Sequence, residues 1–134
     1  MKSVVVVSED RAGLLADVSY VLSKTGIPID GIDVDVVGGK AIVSLSVKDN
    51  KKAKSELEKN GFRTVEPDAL VIKISNHLKA MGDMMNMLER KKVRIQDLSE
   101  ISSGTENKVL AITVNKRRKA SRLLVNFMIG AAPG

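Results

Sequence analysis

The chain has 134 residues, 43% of them apolar, with 22 Lys and Arg against 16 Asp and Glu and a net charge of +6. That length and composition support one packed, aliphatic domain. Three aromatics and no tryptophan leave little on which a base or sugar stacks, and the absence of cysteine excludes disulfides, thiolate chemistry and Cys-ligated zinc.

The first apolar stretch is the valine run at residues 4–7, short, β-branched and apolar on both faces, as a buried central strand requires. Ser8, Glu9 and Asp10 follow, far too early for the apolar core of a signal peptide, and no run approaches the length of a membrane span. A cytoplasmic protein is expected, with which the lack of cysteine agrees. Leu14, Leu15, Val18, Val21 and Leu22 then fall at helical spacing. A strand therefore turns into a helix within about five residues, with Asp10 expected as the N-cap and Gly13 in the first turn. The first backbone N–H groups of a helix lack internal partners and sit at the positive end of its dipole, so this junction is a candidate site for a small anion such as a carboxylate. A merely capped turn is the alternative at this point.

The string Val-Val-Val-Val-Ser-Glu-Asp-Arg-Ala-Gly-Leu-Leu-Ala-Asp-Val resembles the opening of an ACT domain, a small-molecule regulatory module whose first strand enters an Asp-Arg-x-Gly-Leu-Leu type loop. Thr25-Gly26-Ile27-Pro28-Ile29-Asp30-Gly31-Ile32 is similar to that family's passage from the first helix into the second strand. The resemblance covers residues 1–66.

Further along, Ile32, Val34 and Val36 alternate with Asp33 and Asp35, a strand with one wet face, and Gly38-Gly39 marks a hairpin into a strand at 41–47. Asp49-Asn50 caps a polar helix through Lys59 with Ala53 and Leu57 as its buried points, and residues 62–66 read as a last strand. The order β-α-β-β-α-β is that of a ferredoxin-like unit. Asp33 and Asp35 are two carboxylates on one face, but no nucleophile, phosphate loop or metal set accompanies them, so no catalytic residue and no enzyme activity is expected.

The pattern repeats at an offset of about 66. Residues 69–75 match the first strand, Met81, Met84, Met85 and Leu88 give a helical stripe, and residues 92–99 follow the track of 26–33. A longer turn at 103–107, a strand at 109–114 and a helix at 119–127 complete the second unit. The four methionines from Met81 to Met87 suit core filling more than an adaptable interface. The second loop, with Asn76 and His77, reads as one residue shorter and lacks Asp-Arg. His77 is the only histidine, so no metal site is expected. The chain thus reads as α+β, two tandem ferredoxin-like, ACT-type units with antiparallel sheets over 1–67 and 68–134, the second without an obvious last strand. That strand is absent, supplied by a partner chain, or cut off.

A unit of this size buries only about 60% of the surface its unfolded chain exposes and leaves sheet edges open. The resemblance implies pairing of units, often edge to edge into one sheet with helices on a common face, and the uncovered edge points to a homodimer. It further implies an amino acid or similar small metabolite bound between units. Backbone amides of Arg11, Ala12, Gly13 and Leu14 would meet its carboxylate, Asp10 its ammonium, and Leu14 and Leu15 its side chain. Asp30, Gly31 and Ile32 would come from the neighbouring unit, and Asn76 and His77 from the second loop. No cofactor is implied; the signal would reach a regulated enzyme or regulator.

The charge is uneven: through Pro67 there are ten Lys and Arg against ten Asp and Glu, and from Asp68 onward twelve against six. Arg90, Lys91, Lys92 and Arg94 end one helix, where its dipole favours them, whereas Lys116, Arg117, Arg118 and Lys119 open the next, where it does not. The alternative function is accordingly a protein- or nucleic-acid-interaction module that uses this basic half, with the ACT-like fold as scaffold. The lack of stacking aromatics and of a recognition helix argues against nucleic acid.

Overall fold

A computed structural model of the chain describes residues 2–129. The first unit runs β1 (Lys2–Glu9), α1 (Leu14–Lys24), β2 (Gly31–Val37), β3 (Lys40–Val47), α2 (Asn50–Lys59) and β4 (Arg63–Thr64). Its antiparallel sheet has the order β2-β3-β1-β4, the ferredoxin-like arrangement that the ACT resemblance implies. The second runs β5 (Leu70–Ser75), α3 (Ala80–Arg90), β6 (Ile95–Ser103), β7 (Asn107–Val114) and α4 (Arg117–Leu123), with sheet order β5-β7-β6, the same path without its fourth strand. No helix of the described residues is long and apolar enough to cross a membrane.

Each sheet is covered on one face by its own helices. Leu14, Val18, Val21 and Leu22 of α1 with Ala53 and Leu57 of α2 pack on Val4, Val6, Val43 and Leu45. Met84 and Leu88 of α3 with Ala120 and Leu124 pack on Leu70, Ile72, Leu110 and Ile112. Met81 and Met87 are partly buried against this cluster, so three of the four clustered methionines serve the core and only Met85 stands exposed.

The opposite faces of the two sheets meet each other. Val7, Val37 and Ile42 from the first pack on Val71, Ile101, Val109 and Ile129 from the second. This differs from the side-by-side pairing that the resemblance implies: two sheets stack face to face with helices on both outer surfaces. The cause is visible in the alternation of β1 and β3, where residues pointing away from the helices include Val5, Val7 and Ile42, too apolar to leave wet. Lys73 Nζ reaches Asp35 Oδ2 at 2.8 Å across the seam, a half-exposed pair worth at most about 1 kcal/mol.

The stacking also reverses the expected faces of β2. The side bearing Asp35 and Val37 is turned to the second sheet, while Ile32, Val34 and Val36 are 39%, 46% and 48% exposed. As the edge strand, β2 lies beyond the cover of α1 and α2. The C-terminal segment differs as well. Helix α4 ends at Leu123, and Met128 forms a single antiparallel bridge to Ile72, flanked by Lys73 N to Phe127 O at 2.8 Å and Ile129 N to Val71 O at 3.0 Å. The corresponding acceptor in the first unit, Val5 O, takes the Val65 amide at 2.9 Å. One bridge therefore stands where β4 stands in the first unit, and β5 is not left as a bare edge. The remaining expected tail, 130–134, lies outside the described residues.

The hairpin tips seal one end of the seam. Gly38 has φ of 59°, and a Cβ there would lie 2.3 Å from the Ser103 carbonyl oxygen; Gly39 has φ of 75°, but its Cβ would meet nothing within 4 Å. Gly38→Ala is therefore expected to lower stability by about 2–4 kcal/mol, combining the left-handed penalty with the backbone clash, and Gly39→Ala by only about 1 kcal/mol. Urea midpoints of the two variants measure the difference.

Helix α2 is tied to β4 by Glu58, which accepts from Lys54 and, at 3.1 Å, from Thr64 Oγ1. These hydrogen bonds, Lys54 first, hold the Glu58 carboxyl below the usual carboxylate range. The bond to Glu58 raises Lys54 against a smaller loss from burial. A depressed carboxyl contributes stability that is present above its unfolded pKa and lost as pH falls through the folded value. In urea titrations between pH 7 and about pH 3, Glu58→Gln should flatten part of the acid decline while leaving the core unchanged.

Candidate functional site

The turn from β1 to α1 is built differently from the sequence expectation. Gly13, with φ of 79° and ψ of 1°, is the N-cap residue; Asp10 lies three residues earlier and makes no cap bond. Asp10 instead anchors the turn through its backbone, its N–H donating to Gly39 O at 3.1 Å. Leu14 N reaches Arg11 O at 3.4 Å, and Asp17 N donates to Gly13 O at 2.9 Å. The amides of Ala12, Gly13, Leu15 and Ala16 find no acceptor among the described residues. With glycine at the N-cap there is no side chain to fold back over these N–H groups.

Beside them is a small cavity of about 330 Å³, lined by residues 10, 11 and 13–16 with Val34 and Ala41. Arg11 also lines the cavity, its guanidinium paired with Asp17 at 2.8 Å and donating to Ala12 O at 3.4 Å. The Asp10 side chain is exposed and makes no hydrogen bond or ion pair among the described residues. Leu14 lines the cavity while packed in the core at 4% exposure, whereas Leu15, at 41%, presents its side chain openly. Val34 in this wall is a participant that the sequence reading missed, because the alternation of β2 marked it for the core.

Asp30, Gly31 and Ile32 do not join this cavity within one chain. Gly31 pairs with Ser46 and Val37 with Lys40, the register partner of Glu9, so the turn lies at the Val37 end of β2 and Gly31 about 20 Å along the strand from that end. Nor does any residue of the second unit line the cavity.

The second loop is the same length as the first, not shorter. Asn76 N donates to Glu106 O at 2.9 Å and Asp83 N to Lys79 O at 2.8 Å, matching Asp10 and Asp17 at an offset of 66. Its amides are partly occupied, however: His77 Nδ1 accepts from Lys79 N at 3.3 Å and His77 O from Ala80 N at 3.0 Å. The Asn76 side chain donates to Gly104 O at 2.7 Å in the hairpin that touches Gly38. Asn76 and His77 thus organise their own turn, and no group of three or more His, Cys, Asp or Glu able to hold a metal is found among the described residues.

No protein-family model and no curated protein matches the chain. Similar solved structures include protein BT0572 from Bacteroides thetaiotaomicron, 20% identical over 97% of this chain and 92% of that one, with a TM-score of 0.49. Another is the regulatory subunit of aspartate kinase from Thermus thermophilus, 18% identical over 92% and 90%, with a TM-score of 0.44. A third is the acetolactate synthase small subunit from Thermotoga maritima, 15% identical over 96% and 89%, with a TM-score of 0.39.

Proposed function

We propose that this chain is a non-enzymatic regulatory protein that takes a small metabolite, most readily an amino acid, at the β1–α1 turn in a seam between two copies. The observation that carries this reading is the set of unpartnered amides at Ala12, Gly13, Leu15 and Ala16, the last three on residues lining a cavity beside the exposed edge of β2. The amides and Arg11 suit a carboxylate, Asp10 suits an ammonium, and Leu15 with Val34 offers apolar surface for a side chain.

The open edge supplies the reason for two copies. Ile32, Val34 and Val36 form an exposed β-branched row on a strand whose outer backbone groups have no neighbouring strand among the described residues, the kind of edge that pairs with another chain. A two-fold antiparallel pairing centred on Val34 sets Gly31 of one copy opposite Val37 of the other. It thereby carries Asp30, Gly31 and Ile32 of one copy to the amide turn of the next, which no folding of a single chain achieves. A ligand that touches both copies favours the paired state, and a partner enzyme or regulator that distinguishes paired from unpaired chain reads its concentration.

Thermal-shift measurements with each of the twenty amino acids, run beside sedimentation, test both parts. One amino acid should raise the midpoint in a concentration-dependent way, by about 2.7 kcal/mol of stability at a hundred times its dissociation constant. Val36→Lys, at an exposed edge position outside the cavity lining, should leave the fold intact, give a monomer and abolish the shift. A shift that survives in monomeric Val36→Lys removes the seam; no shift with any amino acid removes the ligand class.

A further inference from the structure

The repeat carries a second pair of equivalent clefts, at the opposite end of each helix from the amide turn. In the first unit the cleft lies beside Ser19, Ser23 and Gly26 with Pro28, and in the second beside Met85, Glu89 and Lys92 with Arg94, each position displaced by 66. The helix ends are closed identically: Gly26 N to Ser23 O at 3.1 Å and Ile27 N to Leu22 O at 2.9 Å, against Lys92 N to Glu89 O and Val93 N to Leu88 O, both at 2.9 Å. Only the lining differs. The floor is apolar in both, Ile27 and Ile29 in one and Val93 and Ile95 in the other, but a neutral rim with Ser19 and Ser23 in the first unit becomes a basic rim with Lys92 and Arg94 in the second.

Two of these basic residues occupy positions that disfavour them. Lys92 holds φ of 61°, the left-handed conformation for which the first unit uses Gly26. Lys116 takes the N-cap position of α4, where the first unit uses Asp49 to accept from Lys52 N; Lys116 supplies no cap bond and adds positive charge to the positive end of the dipole. Local rules broken at two neighbouring positions, both in favour of lysine, are the mark of a site kept for something other than folding. The two clusters are brought together by Arg94 and Asn115, with Arg94 N to Asn115 Oδ1 at 2.8 Å and Asn115 N to Arg94 O at 3.1 Å. Among the described residues, none of Arg90, Lys91, Lys92, Arg94, Lys116 or Arg118 comes within 4 Å of a carboxylate.

We propose that this cleft, about 500 Å³ between the end of α3 and the start of β6, docks an acidic, leucine-bearing segment of a partner protein. Charge complementarity selects the acid, and the floor of Leu88, Val93, Ile95 and the exposed, pliable Met85 selects the apolar side chain. Glu89 in the wall offers an acceptor to a peptide N–H, a donor that a sugar-phosphate backbone lacks, and no aromatic lines the cleft for a base to stack on. A peptide is therefore favoured over a nucleic acid. The inference is independent of the metabolite site.

Fluorescence anisotropy of the full chain with a labelled synthetic peptide that alternates leucine with aspartate and glutamate tests it. The peptide should bind, and a version with serine in place of leucine should bind about tenfold more weakly. The double variant Lys92→Gly/Lys116→Asp, which installs the first unit's own residues, should weaken binding by about tenfold or more with an unchanged or higher thermal midpoint. Lys51→Gln/Lys52→Asp, the same change of charge on α2, should leave binding as it is. Failure of the leucine peptide to bind overturns the proposal. So does equal binding by the Lys92→Gly/Lys116→Asp variant or by the serine peptide, equal weakening by the α2 variant, or tighter binding of a single-stranded oligonucleotide of matched charge.

Discussion

The constraint on which the structure depends is that β1 and β3 carry apolar residues on both faces. In the valine run at 4–7, Val4 and Val6 enter the core beneath α1 and α2, while Val5 and Val7 face the second sheet. Ile42 does the same from β3, with Ala41 and Val43 on its other side. A lone ferredoxin-like sheet has helices for one face only, so the second face must be covered from elsewhere. Here the second sheet covers it, and Ile101, Val109 and Val71 answer the first unit's valines. Gly38 pressed against Ser103 and the Lys73–Asp35 pair are details of that one fit.

The arrangement has a consequence for function. With sheets stacked face to face, the edge β2 remains free beside the amide turn. A side-by-side tandem would have consumed a sheet edge within the chain. In the dimer proposed above, a second copy is then the source of the residues that complete the cavity at residues 10–16.

The two units share a backbone and differ in what they expose. At an offset of 66 the turns, helix ends and clefts coincide, as the paired bonds at Asp10 and Asn76 and at Gly26 and Lys92 demonstrate. The first unit has open amides and a neutral helix-end cleft. The second has amides partly taken by His77 and a basic helix-end cleft. In the reading proposed here, duplicated geometry with divergent lining separates a metabolite site from a docking site in one small chain.

Local structure was legible because it rests on local physics. Period-two and period-3.6 patterning placed nearly every strand and helix, and Gly38-Gly39 marked its hairpin, since side-chain direction and turn conformation depend on neighbours in sequence. The candidate site was legible in part: the Asp-Arg-x-Gly-Leu-Leu loop was recognisable, but the cap assigned to Asp10 belongs to Gly13, and Val34 in the cavity wall was assigned to the core. A repeat near 66 was visible too, although the equal length of the two loops was not. What only the tertiary structure decided is which apolar face meets which. Alternation shows that Ile32, Val34 and Val36 share a side of β2, but whether that side is covered depends on how far α1 and α2 reach and on where the second sheet docks. Burial is a property of the assembled layers, and no window of consecutive residues contains it.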